Sequence, residues 1–268
     1  MICLFCKENS SNSKSVEHII PESLGNKEHI LPKGVVCDKC NQYFAIKIEK
    51  PLLEKPYFTN ARSRNIVESK KNNIPLGDAF VLGPSIDKVK FGFENGKNFV
   101  VFENEEVLSN VISKGKGSFI IQMNDEPEKE DLIVSRFLAK CALEFLVNYI
   151  KDDLWIDEII NKEELNSLRN YARYGQGKFW KYSQRRIYNE EDRFIDHLYH
   201  PEPYEILHEM ELLYLESKVM YFIIVIFGIE YAINLGGSEL ELYYNWLKEN
   251  NNISPVRRPS EKMIKRQL

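Results

Sequence analysis

Four cysteines near the N-terminus have the spacing of a metal site. Cys3 and Cys6 form one Cys-x2-Cys pair, and Cys37 and Cys40 form a second pair after 30 intervening residues. Each such turn brings two sulfur atoms within reach of one ion, and four thiolates complete a tetrahedral structural zinc site. The spacing therefore predicts a bound Zn2+ rather than four unrelated buried thiols.

The segment between the two pairs carries side chains suited to acid–base and metal chemistry. Glu17 and His18 are adjacent and are followed by Pro21 and Gly25, and Asn41 directly follows the last cysteine of the frame. A neutral imidazole can take a proton from water near neutral pH. Carboxylate and amide oxygens suit a hard ion such as Mg2+. A Glu-His pair is commonly a surface feature, but inside a four-cysteine frame it indicates a functional site.

This combination resembles the HNH endonucleases of the ββα-metal type, in the branch in which a four-cysteine zinc site frames the motif. The stretches 17–25 and 31–44, with the continuation to Glu54, look like a bacterial HNH subfamily. The resemblance covers roughly residues 1–58, about a fifth of the chain. It implies an N-terminal ββα-metal fold that hydrolyses phosphodiester bonds of DNA.

The resemblance also implies a role for each matching residue. His18 would activate water, Glu17 and Asn41 would hold a catalytic Mg2+ or Mn2+ ion, and Zn2+ would hold the small unit together. Substrate contacts are expected from five basic residues: Lys39, Lys47, Lys50, Arg62 and Arg64. The chain departs from the family pattern because Glu17 replaces the more usual Asp and Asn41 replaces the last His. No Asn stands near residues 32–34, where the central Asn of the family lies, and Asn26 is only a remote substitute.

Composition sets the wider class of the protein. The chain has 268 residues, 43% of them hydrophobic and 12% aromatic, which excludes a mainly disordered protein. Five cysteines are too few, and odd in number, for a disulfide scaffold. The net charge of −4 divides into about +4 for residues 1–75, −12 for 76–253 and +4 for 254–268. Both ends could therefore meet an anion although the whole chain is acidic.

The resemblance implies a zinc-stapled ββα-metal HNH module at the N-terminus, and hydrophobic patterns predict a larger mixed α/β domain with antiparallel strands and helices after it. Together they give an expected α+β fold. An Asn95-Gly96 turn predicts a hairpin between runs 88–93 and 99–102. The other predicted elements are strands at 118–123, 204–216 and 219–235 and helices at 125–150, 163–174 and 240–249. Cys141 lies on the apolar stripe of the first of these helices and is interpreted as a core residue. Asp196, His197, His200 and His208 could suggest a metal site, but we interpret the three histidines as exposed.

We expect four parts: the HNH module at 1–58, a polar connector at 59–78, an acidic α+β accessory domain at 79–253 and a mobile basic tail at 254–268. The accessory domain would bind a regulatory ligand or protein partner, or form a homodimer. The longest apolar run, of about 11 residues, is too short for a bilayer, which needs about 20. A cytoplasmic, DNA-cutting defence or restriction nuclease is expected. The alternative is a non-catalytic, zinc-framed module that binds nucleic acid or protein.

Overall fold

The computed structural model describes residues 1–69, 71–83, 85–94, 97–121, 124–150 and 153–264, without the side chains of residues 153–155. Eight α-helices are found in these ranges: α1 Asp38–Phe44, α2 Lys50–Leu53, α3 Pro56–Arg64, α4 Glu105–Lys114, α5 Leu132–Ile150, α6 Asp153–Asn161, α7 Asn166–Tyr174 and α8 Glu241–Glu249. A π-helical turn, Ala45–Glu49, joins α1 to α2, and 3-10 turns occur at Glu22–Leu24 and Glu163–Leu165.

Eleven strands are found in the same ranges. They are β1 Gly77–Leu82, β2 Ile86–Glu94, β3 Lys97–Val101, β4 Ser118–Ile121, β5 Tyr182–Arg186, β6 Arg193–Asp196, β7 His200–Tyr204, β8 His208–Tyr214, β9 Met220–Ile226, β10 Ile229–Asn234 and β11 Glu261–Ile264. They form three antiparallel sheets, in the orders β3-β2-β1-β4, β5-β10-β9-β8 and β11-β6-β7. The predicted α+β class with antiparallel sheets is confirmed.

The chain divides into two compact units. The first unit combines Met1–Pro21, Asn26–Leu52 and Glu128–Leu268, and the second combines Glu22–Gly25 and Leu53–Pro127. This division differs from the expected four parts, since most of the cysteine-rich segment belongs to the same unit as the C-terminal half of the chain. None of the described helices is long and apolar enough to span a membrane.

Helix α5 and the β5-β10-β9-β8 sheet form the core of the first unit. Strand β10 is buried throughout and β9 along all but its first residue, and Phe145 of α5 packs against Phe222 of β9 with ring centroids 5.4 Å apart. Cys141 is fully buried, as predicted. The side chains of α5 are buried on every face between Val134 and Val147 except at Arg136. An amphipathic stripe alone would have left one face in water.

The second unit is built on the β3-β2-β1-β4 sheet. Alternate residues of β1 are buried, and the core residues Ala79, Val81, Val89 and Phe91 pack against Val107 and Val111 of α4. Asn104 caps α4 by accepting hydrogen bonds from the Glu106 and Val107 amides. The predicted hairpin is present as β2 and β3, whereas its Asn95-Gly96 turn lies outside the described residues.

Several expected elements differ in extent. The predicted strand 219–235 is a hairpin of β9 and β10, since Phe227 and Gly228 both adopt positive φ angles, 50° and 78°, and reverse the chain. The expected connector, 59–78, starts inside α3, which Pro56 begins at a position where its fixed φ suits a helix. The expected mobile tail forms β11 over Glu261–Ile264, paired with β6.

Candidate active site

The four cysteine side chains converge as the sequence predicts. Their sulfur atoms all lie within 4.8 Å of one another, and the Cys6 and Cys37 sulfurs are 3.6 Å apart. Two thiolates on one zinc ion, each at about 2.3 Å in tetrahedral geometry, lie about 3.8 Å apart. The cluster therefore fits zinc, and in the described part of the chain no other group of three or more His, Cys, Asp or Glu residues has metal-binding geometry.

Backbone amides donate hydrogen bonds to two of these sulfurs. The Cys37 amide lies 3.3 Å from the Cys3 sulfur, and the Cys40 amide lies 3.4 Å from the sulfur of Cys37, the N-cap of α1. The hydrogen bond from the Cys40 side chain lowers the pKa of Cys3 to about 4, while burial raises the pKa of Cys6 to about 11. A bound ion that needs thiolates would shift all four towards the charged form.

Helices α5 and α7 contribute side chains around the cysteine cluster. Arg173 of α7 donates from Nε to the Cys40 sulfur over 3.3 Å, and its guanidinium carbon lies 3.7 Å from the ring centroid of Tyr43. Arg136 of α5 donates from Nη2 to the Tyr43 hydroxyl at 2.7 Å. Although burial opposes the charged form, the hydrogen bond to Cys40 raises the pKa of Arg173. The four-cysteine cluster and the neighbouring Tyr43 are therefore contacted by residues more than 90 positions away.

His18 lies on a short antiparallel pairing between residues 17–19 and 29–31. The Leu31 amide donates to the Glu17 carbonyl at 2.9 Å, the Ile19 amide donates to the His29 carbonyl at 3.1 Å, and His18 and Ile30 form an isolated bridge. Side chains alternate along an extended segment. Glu17 and Ile19 are consequently buried, while His18 is half-buried.

Helix α1 holds the residues that precede this pairing. The Asn41 side-chain Nδ2 donates to the Val16 carbonyl at 3.0 Å. The Asp38 carboxylate accepts from the Ser15 and Lys14 amides at 2.8 and 3.0 Å and from the Ser15 hydroxyl. These hydrogen bonds, chiefly that of the Ser15 hydroxyl, lower the pKa of Asp38. Because Nδ2 of Asn41 is occupied, Oδ1 is its atom left to ligate an ion.

Asn26 corrects one expectation from the sequence. It is not a remote substitute, since its fully buried side chain stabilises the loop that follows His18. Nδ2 donates to the carbonyls of Ile20 and His29 at 2.7 and 3.1 Å, and Oδ1 accepts from the amides of Glu28 and His29 at 3.0 and 2.9 Å. A single amide side chain in this position fixes both sides of the loop.

Sequence reasoning missed Lys140 of α5, which contacts the carboxylate expected to bind the catalytic ion. Its fully buried ammonium lies 2.8 Å from Glu17 Oε1, 3.1 Å from Glu49 Oε1 and 3.0 Å from Glu144 Oε2. Burial disfavours the ammonium, but the carboxylates of Glu144, Glu17 and Glu49 raise the pKa of Lys140 well above its usual value. The available signal was a Lys and a Glu four residues apart within an otherwise apolar helical stripe.

The contact between Lys140 and Glu17 affects how Glu17 could hold a catalytic divalent ion. The donor types suit Mg2+ or Mn2+, since Glu17 offers a carboxylate and Asn41 an amide oxygen. Glu17 is only 5% exposed, however, and Lys140 already neutralises one of its oxygens. An ion held by Glu17 would share this carboxylate with an ammonium group.

The expected substrate contacts lie in different settings. Lys39 of α1, Lys47 of the π-helical turn and Lys50 of α2 are exposed on the helical segment that carries Asn41. Arg64 is half-buried in the second unit. Arg62 is only 5% exposed, and burial lowers its pKa, so it is a poor contact for a phosphate in this conformation.

Comparison with known proteins agrees with this geometry for one part of the chain. Residues 3–56 match the family described as HNH endonuclease. The matched range contains the four cysteines, the Glu17-His18 pair and Asn41. Neither the curated proteins nor the solved structures gave a match. The N-terminal segment of this chain, residues 3–56, is therefore similar to the HNH endonuclease family.

Proposed function

We propose that this protein is a metal-dependent HNH endonuclease that hydrolyses phosphodiester bonds of DNA. The observation that carries the proposal is the placement of His18. It is half-buried on a short antiparallel pairing beside helix α1, whose N-cap residue, Cys37, belongs to the four-cysteine cluster. The family match over residues 3–56 supports the same activity. A nuclease needs such a reachable base on a rigid backbone.

His18 acts as the general base in this proposal. A histidine is neutral over part of the physiological pH range and can accept a proton from the attacking water. Its partial exposure leaves the imidazole accessible to a substrate, while the Glu17 carbonyl and the Ile19 amide on either side hydrogen-bond to the facing segment. The geometry thus combines access with a fixed position.

The two metal roles fall to different residues. Cys3, Cys6, Cys37 and Cys40 would hold Zn2+, whose role is structural. Glu17 and Asn41 would hold Mg2+ or Mn2+, which supplies electrostatic stabilisation of the phosphate and the leaving oxygen when bound. The chain itself orients the carboxylate through Lys140 and the amide through the Val16 carbonyl.

DNA contacts are assigned to the exposed lysines of the α1–α2 segment. Lys39, Lys47 and Lys50 give this segment positive charge on the element that also carries Asn41. Such contacts orient a duplex through its phosphates without reading its sequence. Arg64 is a further candidate for a phosphate contact. Arg62 is a weaker candidate because its side chain is buried.

A non-catalytic zinc-framed binding module is the second candidate. The observation that favours it is the ion pair between Glu17 and Lys140, since a pure binding module needs no free carboxylate for a divalent ion. It leaves the placement of His18 and Asn41 without a purpose, and we therefore rank it second.

Cleavage of supercoiled plasmid separates the two candidates. We expect nicked and linear products from the wild type with added Mg2+ or Mn2+, and none from His18→Ala. The exposed His197 provides a matched control, and His197→Ala should cut like the wild type. Metal-independent retention of plasmid by wild type and His18→Ala alike, without cutting, would support the binding module and contradict the nuclease.

Each chain carries one proposed active site, and a single site cuts one strand at a time. Cutting both strands of a duplex favours a homodimer, which sedimentation velocity would detect as a species of twice the 31.5 kDa chain mass. A cytoplasmic role in anti-phage defence or restriction, with a regulatory ligand or protein partner bound by the acidic part of the chain, is proposed by analogy with nucleases that carry accessory domains. Phage plating on cells with wild type or His18→Ala would test this role.

A further inference from the structure

Lys140 contacts the backbone of the Glu17-His18 motif as well as its carboxylate. Its ammonium lies 3.0 Å from the His18 carbonyl oxygen and 3.4 Å from the Ile19 carbonyl oxygen, across more than 120 positions of sequence. The thiol of the next residue, Cys141, donates to the Ile19 carbonyl at 3.0 Å. Two adjacent residues of α5 therefore hold two adjacent carbonyls beneath the proposed general base.

A plain structural ion pair does not account for these contacts. Glu144, one helical turn from Lys140 and 3.0 Å away, already supplies a buried partner for the ammonium. An ammonium has three N–H donors. The two N–H donors that remain are shared among Glu17, Glu49 and the His18 carbonyl, none of which lies on α5, and two of these three acceptors belong to the Glu17-His18 motif.

The carbonyls of five consecutive residues each have a donor. Asn41 donates to Val16, the Leu31 amide to Glu17, Lys140 to His18 and Ile19, and Asn26 to Ile20. Satisfied carbonyls on both sides of a residue leave its backbone little freedom to rotate. The direction of the His18 side chain follows from this backbone, so the donor to the His18 carbonyl contributes directly to its position.

We propose that Lys140 is a positioning residue of the nuclease site, which fixes the His18 backbone and orients the Glu17 carboxylate from the core of the first unit. The statement that it serves catalysis rests on the proposed function. The statement that it immobilises the motif does not. Removal of a residue that orients a catalytic group by hydrogen bonding to it typically lowers activity by about 10–100-fold.

The test compares substitutions at two buried positions of one helix. Lys140→Met removes the ammonium, and the double variant Lys140→Met/Glu144→Gln also reduces the negative charge left behind. Ser135→Ala is the matched control, since Ser135 is buried on α5, donates to the Trp180 carbonyl and accepts from the Tyr171 hydroxyl, and neither partner belongs to residues 16–20. Lys140→Arg asks whether another cation can take over the role.

Three readouts decide the proposal. We expect kcat for DNA cleavage to fall about 10–100-fold in both Lys140→Met proteins, with KM for DNA within twofold of wild type. Amide exchange at Ile19 should accelerate at least about tenfold, and of the five histidine ring signals in NMR spectra, that of His18 should shift or broaden. Ser135→Ala should leave the exchange at Ile19 and the His18 signal as in wild type, and Lys140→Arg should recover part of the loss.

Each contrary outcome is informative. Wild-type exchange and His18 signals in a folded Lys140→Met/Glu144→Gln protein would overturn the proposal. If the wild type does not cut DNA, the proposed function fails while the exchange data still decide whether Lys140 immobilises the motif. Should no Lys140 variant fold, exchange in the wild type decides: we expect Ile19 to exchange through the same opening as α5, and exchange more than about 100-fold faster than α5 would overturn the proposal.

Discussion

Replacing Arg173 with methionine tests whether α7 stabilises the zinc site. Methionine keeps an unbranched apolar stem but removes the guanidinium, which lies 3.7 Å from the Tyr43 ring centroid and 3.3 Å from the Cys40 sulfur. A cation over a desolvated aromatic ring contributes about 1–2 kcal/mol, and a hydrogen bond involving a charged group contributes about 1.5–3 kcal/mol. Together these contributions amount to about 2.5–5 kcal/mol, and we expect the free energy of unfolding of the first unit to fall by about 3–4 kcal/mol, the middle of that range.

Two measurements follow from this estimate. The loss corresponds to a fall of about 6–16 °C in the thermal midpoint for a unit of this size. Zinc affinity, measured by competition with a chromophoric chelator, should fall about 10–100-fold, because Arg173 contacts a metal-ligating sulfur directly.

A partly exposed arginine serves as the control for this substitution. Arg193 pairs with Glu205 at the surface, where an ion pair contributes at most about 1 kcal/mol. Arg193→Met should therefore leave zinc affinity and the thermal midpoint close to those of the wild type. An Arg173→Met protein that binds zinc within twofold of wild type would refute the reasoning.

Three further predictions concern single contacts. Asn26→Ala removes four hydrogen bonds of a fully buried side chain and should lower the free energy of unfolding by about 2–4 kcal/mol, which urea titration would show. Asp38 has a pKa lowered by its bonds to Ser15 and Lys14, so its contribution to stability is present above its unfolded pKa of about 3.9 and is lost as pH falls through its folded pKa. Asp38→Asn should accordingly flatten the acid side of the stability–pH profile, measured by urea midpoints between pH 2 and 7. Gly228→Ala would place a methyl group against the Tyr188 carbonyl oxygen at φ +78° and should lower the thermal midpoint far more than Gly115→Ala, which meets open space at φ +61°.

The convergence of the four cysteines could be predicted because its signal is local. A Cys-x2-Cys turn sets the separation of two sulfurs over a few residues, and the adjacency of Glu17 and His18 needs no long-range contact. Short-range periodicity likewise predicts the β2–β3 hairpin and a helix over 125–150, of which Leu132–Ile150 is helical. Where spacing along the chain determines spacing in the fold, the sequence alone is sufficient to predict the arrangement.

The supporting residues could not be predicted because tertiary packing selects them. Lys140 and Arg173 reach the motif and the cysteine cluster across more than 120 positions, and each could equally have been a solvated surface residue. The same holds for β11, whose basic composition indicated a mobile tail until its pairing with β6 was known. The role of Asn26 in stabilising the loop after His18 could not be predicted, because its hydrogen bonds depend on a loop conformation with no local sequence signature.

The most direct test of the central claim is the single-turnover cleavage rate of a labelled DNA duplex in the presence of Mg2+ or Mn2+. Removing a general base typically lowers a rate by about 100–10,000-fold. We predict a fall of at least about 100-fold for His18→Ala at unchanged zinc content, and a wild-type rate for His197→Ala. Cleavage by His18→Ala at a rate equal to that of the wild type would contradict the assignment of His18 as the base.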